Sequence, residues 1–390
     1  MIVEVAKKIR YVDEYFFSSR LQTIEQMKSE GLPVINLGIG NPDRIPERLV
    51  IKTMIKSIQM AENHGYQSYK GNVELLSAFA KWYSKHLNIQ LDAKKNFLAL
   101  NGSKEGINFI LASFINAGDE VLIPDPGYPA YRTAALLNYA KIKTYSLLPE
   151  NNYEPDFEEL EKKISKRTKI IFTNYPNMPT GKSASIELFQ KLVDFATDNK
   201  ILLVNDNPYL FLFNEKISVF NASGADKIAI ELNSLSKSHN MAGWRIGVAI
   251  AHENYIKALL KIRSNYNSGL FKPIQDAAIQ ALNASDEWYL KQQKYYNQRR
   301  IIAEKALKNL DFFVPDNQKG MFVWAKIPQY FENADFLSDF LLKKAFVFVT
   351  PGSIFGNNGN KFIRISLCAD IDTLFEAFRR IKINFDKIKI

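Results

Sequence analysis

Cysteine is nearly absent from this chain: Cys368 is the only one in 390 residues. No intramolecular disulfide can form, and a reducing, cytoplasmic location is expected. Histidine is scarce too. His64, His86, His239 and His252 stand apart, with no HExxH or CxxC spacing. That gives no metal-ligand pattern and reads as isolated surface or packing histidines, with no metal. No run approaches the roughly 18 apolar residues that a membrane-spanning helix needs. The opening residues, MIVEVAKKIRYVDEY, carry charges where a secretory leader would need an apolar core. Glycine-rich nucleotide fingerprints are missing as well: no GxGxxG follows a strand-like run, and GxxxxGK[ST] does not occur.

What is present is ordinary globular material. At roughly 100–200 residues per domain the length allows two or three domains. A hydrophobic fraction of 46% and a charged fraction of 24% exclude a disordered, collagen-like or coiled-coil chain. The net charge of +10 is scattered. Its densest run, Arg379-Arg380-Ile381-Lys382, continues into Lys387 and Lys389 but alternates with Ile and Phe. That is the pattern of a solvated amphipathic face, so no nucleic-acid partner is expected.

Strand-like and helical patterns alternate along the chain. The apolar runs VLIP (121–124), KIKTYSLL (141–148), KIIFTNYP (169–176), ILLVND (201–206), KIAIELN (227–233) and RIGVAIA (245–251) predict strands. Helical periodicity lies between several of them, as in EGINFILASFIN (105–116) and SIELFQKLVDFATDN (185–199). Continuous apolar strands separated by helices predict an α/β domain with a mostly parallel central sheet covered by helices, over residues 45–282. From 283 to 390 the pattern changes. A long helix (284–310) precedes strands at 321–327, 345–350 and 361–368, with helices at 333–343 and 371–385, which predicts a smaller α+β domain. Residues 1–44 are polar with one strand-like piece, VINLGIG (34–40), and are expected to form an arm packing with the small domain.

In open parallel sheets ligands bind beyond the carboxyl ends of the strands. Three such ends stand out. FLALN leads into Asn101-Gly102-Ser103-Lys104-Glu105, a Gly-Ser turn opening a helix, where free backbone N–H groups suit an anion or make a plain cap. ILLVN ends in Asp206-Asn207-Pro208-Tyr209, which offers a partly buried carboxylate in need of a cation, or an ordinary helix cap. The third end is Ser234-Leu235-Ser236-Lys237-Ser238, with Arg245 close behind. A lysine among small hydroxyl residues suits Schiff-base chemistry, although a lone lysine is usually a surface group. Together the three ends supply a phosphate cradle, a partner for a pyridinium nitrogen and an imine-forming amine, the equipment for pyridoxal phosphate.

The segments NLGIGNPD (36–43), YQSYKG (66–71), NGSKEGI (101–107), PDPGYPAY (124–131), NYPNMPTG (174–181), NDNPY (205–209), SLSKSHNMAGWRIG (234–247) and RISL (364–367) follow one another in a familiar order. In this the chain resembles the class I/II aminotransferases of the fold-type-I pyridoxal-phosphate enzymes, most of all the branch of LL-diaminopimelate and alanine aminotransferase-like members. The resemblance implies a pyridoxal 5'-phosphate cofactor, amino acid and 2-oxo acid substrates, and a homodimer with shared sites. It makes Lys237 the imine-forming lysine and proton shuttle, Asp206 the partner of the pyridine nitrogen, and Tyr209 a donor to the cofactor's phenolic oxygen. The resemblance further implies that Tyr128 stacks on the ring, that backbone groups of Ser103 and Lys104 with Ser234 and Arg245 hold the phosphate, and that Tyr66 reaches the phosphate of the neighbouring subunit. It implies that Arg364 clamps the substrate α-carboxylate, with Gly40 leaving backbone room beside it. One position departs from the family pattern. Met178 stands where a second asparagine normally hydrogen-bonds the phenolic oxygen, and Asn177 is a candidate to turn in and replace it. The same core chemistry also serves a C–S β-lyase. A cofactor-sensing regulator would need a DNA-binding module ahead of NLGIGNPD, which begins at residue 36, and is not expected.

Overall fold

A computed structural model describes residues 2–210, 212 and 216–387; Lys389 of the basic run lies outside the described residues. The first strand, β1 (Ile35–Asn36), is short. Seven strands then share one sheet: β2 (Phe97–Leu100), β3 (Glu120–Asp125), β4 (Lys141–Ser146), β5 (Thr168–Thr173), β6 (Leu202–Asp206), β7 (Ala229–Ser234) and β8 (Gly247–Ala251). Their order is β2-β8-β7-β6-β5-β3-β4. β8 runs antiparallel to β2 and β7, and the other pairings are parallel.

Successive side chains of a strand point to opposite faces. Ile170 and Phe172 accordingly join one buried cluster and Ile171 another, and Leu202 and Val204 part from Leu203 in the same way. The helix Ser103–Phe114 covers one face with Ile107, Ile110 and Leu111. The helix Ile186–Asp198 covers the other with Leu188, Leu192 and Val193. Each such burial contributes about 1.5–3 kcal/mol, and that explains why the strand sequences are apolar throughout rather than alternating.

The C-terminal strands are β9 (Phe322–Lys326), β10 (Val347–Phe348), β11 (Thr350–Pro351) and β12 (Phe362–Ser366). β11, β12 and β9 form an antiparallel sheet in that order. The single strand expected over 345–350 is therefore two. β10 pairs in parallel with β1, and β11 turns to β12. Pro351 closes this piece because it has no N–H to donate. The helix expected over 333–343 is Ala334–Phe340 followed by a wider turn to Ala345, and Phe346 ends it at φ 54°.

The N-terminal segment, read as polar, contains a helix over Phe16–Ser29, of which Ile24 is the buried residue. Ile24 packs with Phe348 and Leu342, and Arg20 pairs with Asp339 at 3.0 Å. Backbone bonds from Leu37 to Phe348 (2.8 Å) and from Ser366 to Leu37 (2.7 Å) fasten the following segment to the C-terminal strands. The helix Ile371–Asp386 buries Leu374, Phe378, Ile381 and Phe385, while Arg379 and Arg380 pair with Glu376 at 2.7 Å. Among the described residues no helix is long and apolar enough to cross a membrane, and no cluster of metal-ligating side chains occurs.

Candidate active site

Because β8 is antiparallel, its start lies at the carboxyl edge of β2 and β7. The register sets Gly247 opposite both Leu100 and Ser234. Arg245, just ahead of Gly247, thus reaches the same edge as the Gly102-Ser103 turn and the Lys237 turn. A left-handed conformation at Arg245 (φ 56°) aims it there, and its guanidinium donates to the Ala242 and Asn101 carbonyls at 2.9 and 3.2 Å. Gly102 has φ 83°, and a Cβ there would strike that guanidinium, so two constraints require glycine.

One cavity of about 270 Å³ gathers these ends. Ser103 and Lys104 open the helix after β2, Asp206 ends β6 with Tyr209 beyond it, and Ser234 ends β7. The Ser234 hydroxyl accepts from the Ser236 amide at 3.1 Å and caps the short helix Leu235–Ser238 that carries Lys237. Tyr128 follows β3, and Asn174 and Met178 follow β5. The C-terminal sheet contributes Phe322 and Arg364, and the arm contributes Tyr15, Phe17, Ile39 and Gly40. Asp206 is the only carboxylate among these lining residues, against Lys104, Lys237, Arg245 and Arg364. Such a cavity favours an anionic ligand.

Asp206 is 3% exposed. Tyr131 donates to its Oδ2 at 3.0 Å, while Oδ1 has no hydrogen-bond partner among the described residues. Burial pushes its pKa up to about 7, with the Tyr131 and Ser103 hydroxyls opposing. An orphaned, buried carboxylate oxygen needs a donor or a cation. Burial also pushes Lys237 down to about 8, with Cys368 opposing and Arg364 and Arg245 adding to the shift. Near neutrality a useful fraction of this amine is therefore unprotonated and nucleophilic. Its Nζ donates to the Gly40 carbonyl at 2.5 Å.

Arg364 is 4% exposed and has no ion-pair partner among the described residues. It donates to the Gly38 carbonyl at 2.6 Å and to the Met178 sulfur at 3.0 Å, and its Nε has no partner. The Phe322 ring lies 3.9 Å from the guanidinium carbon. Burial pulls Arg364 down to about 10. A Cβ at Gly40 would collide with Phe322, so this glycine admits the ring that packs on Arg364.

Two sequence candidates stand outside the cavity. Asn177 does not turn in. Its carboxamide oxygen accepts from the Thr180 amide at 3.2 Å and the Thr180 hydroxyl at 2.7 Å, which ties it into its own loop. Tyr66 is 95% exposed, away from the lining residues. Tyr15, Phe17, Tyr131 and Asn174 were missed. Tyr131 stacks on Phe172 at 4.7 Å to reach Asp206, and Tyr15 lies under Lys104 at 4.0 Å. In a chain that is 13% aromatic, Tyr15, Phe17 and Tyr131 carried no signal of their own, and Asn174 stood only as the first residue of NYPNMPTG. Of the histidines, His86 and His239 are buried packing residues and His64 and His252 are exposed.

Residues 33–381 match the family model described as aminotransferase class I and II. The chain is similar to an LL-diaminopimelate aminotransferase of Halothermothrix orenii, with 36% identity covering 99% of this chain and 100% of that one. It is similar at 36% to an LL-diaminopimelate aminotransferase of Aquifex aeolicus, covering 97% of this chain and 98% of the other. Among solved structures it resembles apo-BacF from Bacillus subtilis, with a TM-score of 0.94, 32% identity, and coverage of 98% and 99%.

Proposed function

Because the chain belongs to the class I and II aminotransferases, which are pyridoxal 5'-phosphate-dependent transaminases, we propose that the cavity around Lys237 and Asp206 is its active site. The observation that carries this reading is the partnerless, buried Oδ1 of Asp206 sharing one cavity with the Lys237 amine. A pyridinium N–H would satisfy that oxygen. The amides opening the helix at Ser103, with Ser234, Lys104 and Arg245, would hold the phosphate, and Tyr128 would face the ring. When bound, the cofactor supplies the electron sink for a substrate's α-carbon. Lys237 would be the residue that bonds the cofactor and that moves the substrate α-proton, and Tyr209 would donate to the phenolic oxygen. Arg364 takes the substrate α-carboxylate in place of the Met178 sulfur. We further propose a cytoplasmic homodimer in which the exposed Tyr66 completes the partner's phosphate site.

The names of the relatives make LL-diaminopimelate the first amino donor to test, with 2-oxoglutarate as acceptor. The expected result is acceptor-dependent formation of glutamate. Pyruvate and ammonia released without an acceptor would establish the C–S lyase instead.

Met178 gives a second test. In Met178→Asn the carboxamide oxygen accepts from Arg364 where the sulfur did, and the NH₂ turns to the cavity and the cofactor's phenolic oxygen. A donor favours the deprotonated form of what it binds. The pH midpoint of the cofactor's visible band should therefore fall relative to the parent in a spectrophotometric titration. An unchanged or raised midpoint contradicts this.

A further inference from the structure

Asp125 ends β3, three residues before Tyr128, and its carboxylate bonds the C-terminal part of the chain. Oδ2 accepts from the Asn357 amide at 3.1 Å, and Oδ1 accepts from the Asn358 amide at 3.0 Å. The Asp125 carbonyl accepts from Asn358 Nδ2 at 3.1 Å, and the Gly127 amide donates to the Phe355 carbonyl at 2.8 Å. Asp125 is 8% exposed, so these bonds are shielded from water. The loop is shaped for the carboxylate: Gly356 has φ 138°, and a Cβ there would strike the Asp125 side chain.

These bonds join two walls of the cavity. Residues 355–358 lie between β11 and β12, and β12 carries Arg364. The Phe355 ring is 4.9 Å from the Arg364 guanidinium and packs edge-on with Trp324 at 5.9 Å. Tyr128 is the neighbour of Gly127 and lines the same cavity as Arg364. Ser103, Asp206, Ser234, Lys237 and Arg245, by contrast, all stand at the edge of the seven-stranded sheet and need nothing from residues 355–358 for their mutual placement.

We propose that Asp125 is a positioning residue for the substrate: its carboxylate ties the Asn357–Asn358 backbone to the end of β3 and so sets the placement of Arg364 against Tyr128. This rests on the reading of Arg364 as the partner of the substrate α-carboxylate. Misplacing one side of a bidentate clamp weakens substrate binding while leaving the cofactor's contacts in place.

Asp125→Asn keeps the size but turns an NH₂ toward one of two backbone N–H donors. In the holoenzyme the KM values for amino donor and 2-oxo acid should rise about tenfold, since bonds to a charged acceptor are lost. The kcat should stay within about threefold, and cofactor affinity and the visible band should be unchanged. Gly356→Ala should give the same pattern by displacing the loop. Asn358→Ala, which loses only the side-chain bond, should give a smaller rise and serves if the other two fold poorly. Unchanged KM values in these variants, beside a raised KM in Arg364→Ala, would overturn the positioning role. So would a loss of cofactor affinity in step with the KM rise, which would mark Asp125 as general support. An unchanged KM in Arg364→Ala would instead bring down the reading of Arg364 itself.

Discussion

Lys237→Ala lowers amino transfer by on the order of 10⁴–10⁶-fold, the range seen when a nucleophile at the centre of an active site is removed. In the proposed assignment two functions go with one side chain, covalent attachment of the cofactor and movement of the substrate α-proton. Its surroundings support that assignment. The amine sits in a cavity that pulls its pKa down to about 8, chiefly by burial. Its Nζ is held by the Gly40 carbonyl at 2.5 Å. Among the described residues the only other lysine lining the cavity is Lys104, placed over the Tyr15 ring at the opening of the helix after β2. Single-turnover assays with added amine measure the loss. Partial rescue of the α-proton step by a small amine is expected, because a free base then stands where the Lys237 amine stood. Activity within tenfold of the parent would contradict the assignment.

Asp206→Asn is expected to slow the half-reaction with an amino donor by about 10²–10³-fold, the cost of losing one preorganised charge at a reacting centre. The carboxamide keeps the shape and the Tyr131 contact but cannot hold a pyridinium proton by charge. A second readout needs no turnover. In the cofactor-free protein Asp206 has its pKa raised to about 7. The stability contributed by its protonated form is fully present below the unfolded value of about 3.8 and is lost as pH rises through about 7. The cofactor-free Asn variant should therefore hold its Tm better than the parent between pH 5 and 8, while the cofactor-loaded variant should be less stable than the loaded parent. Half-reaction rates within a few-fold of the parent, or no crossing of the two stability series, would refute the pairing.

The core of the candidate site was legible because continuous apolar strands end abruptly in polar punctuation. ILLVN stops at Asp206, and the Ser234-Leu235-Ser236-Lys237 turn follows an apolar run. Period and punctuation are local properties, and a strand end at the carboxyl edge of a parallel sheet is a place where ligands bind. What escaped depends on contacts distant in sequence. Tyr131 reaches Asp206 across 75 residues, and Phe322 reaches Arg364 only through the β12–β9 pairing. The helix Phe16–Ser29 carries only a sparse apolar stripe, Phe17, Ile24 and Met27 among polar residues, which packs on the C-terminal elements. Met178 was visible as a departure, but its sulfur's place against Arg364 was not, because nothing local links positions 186 residues apart. Asn177 shows the converse: the right residue type beside the right position, but with its carboxamide oxygen tied to Thr180 and its NH₂ buried without a partner among the described residues.

The central claim is that Lys237 bonds the cofactor in a cavity shared with Asp206. Borohydride reduction of the purified, yellow holoenzyme, followed by peptide mapping, tests it most directly. The visible band should be lost and the reduced cofactor adduct should appear on Lys237 alone, with none in Lys237→Ala. An adduct on Lys104 or any other lysine would contradict the account.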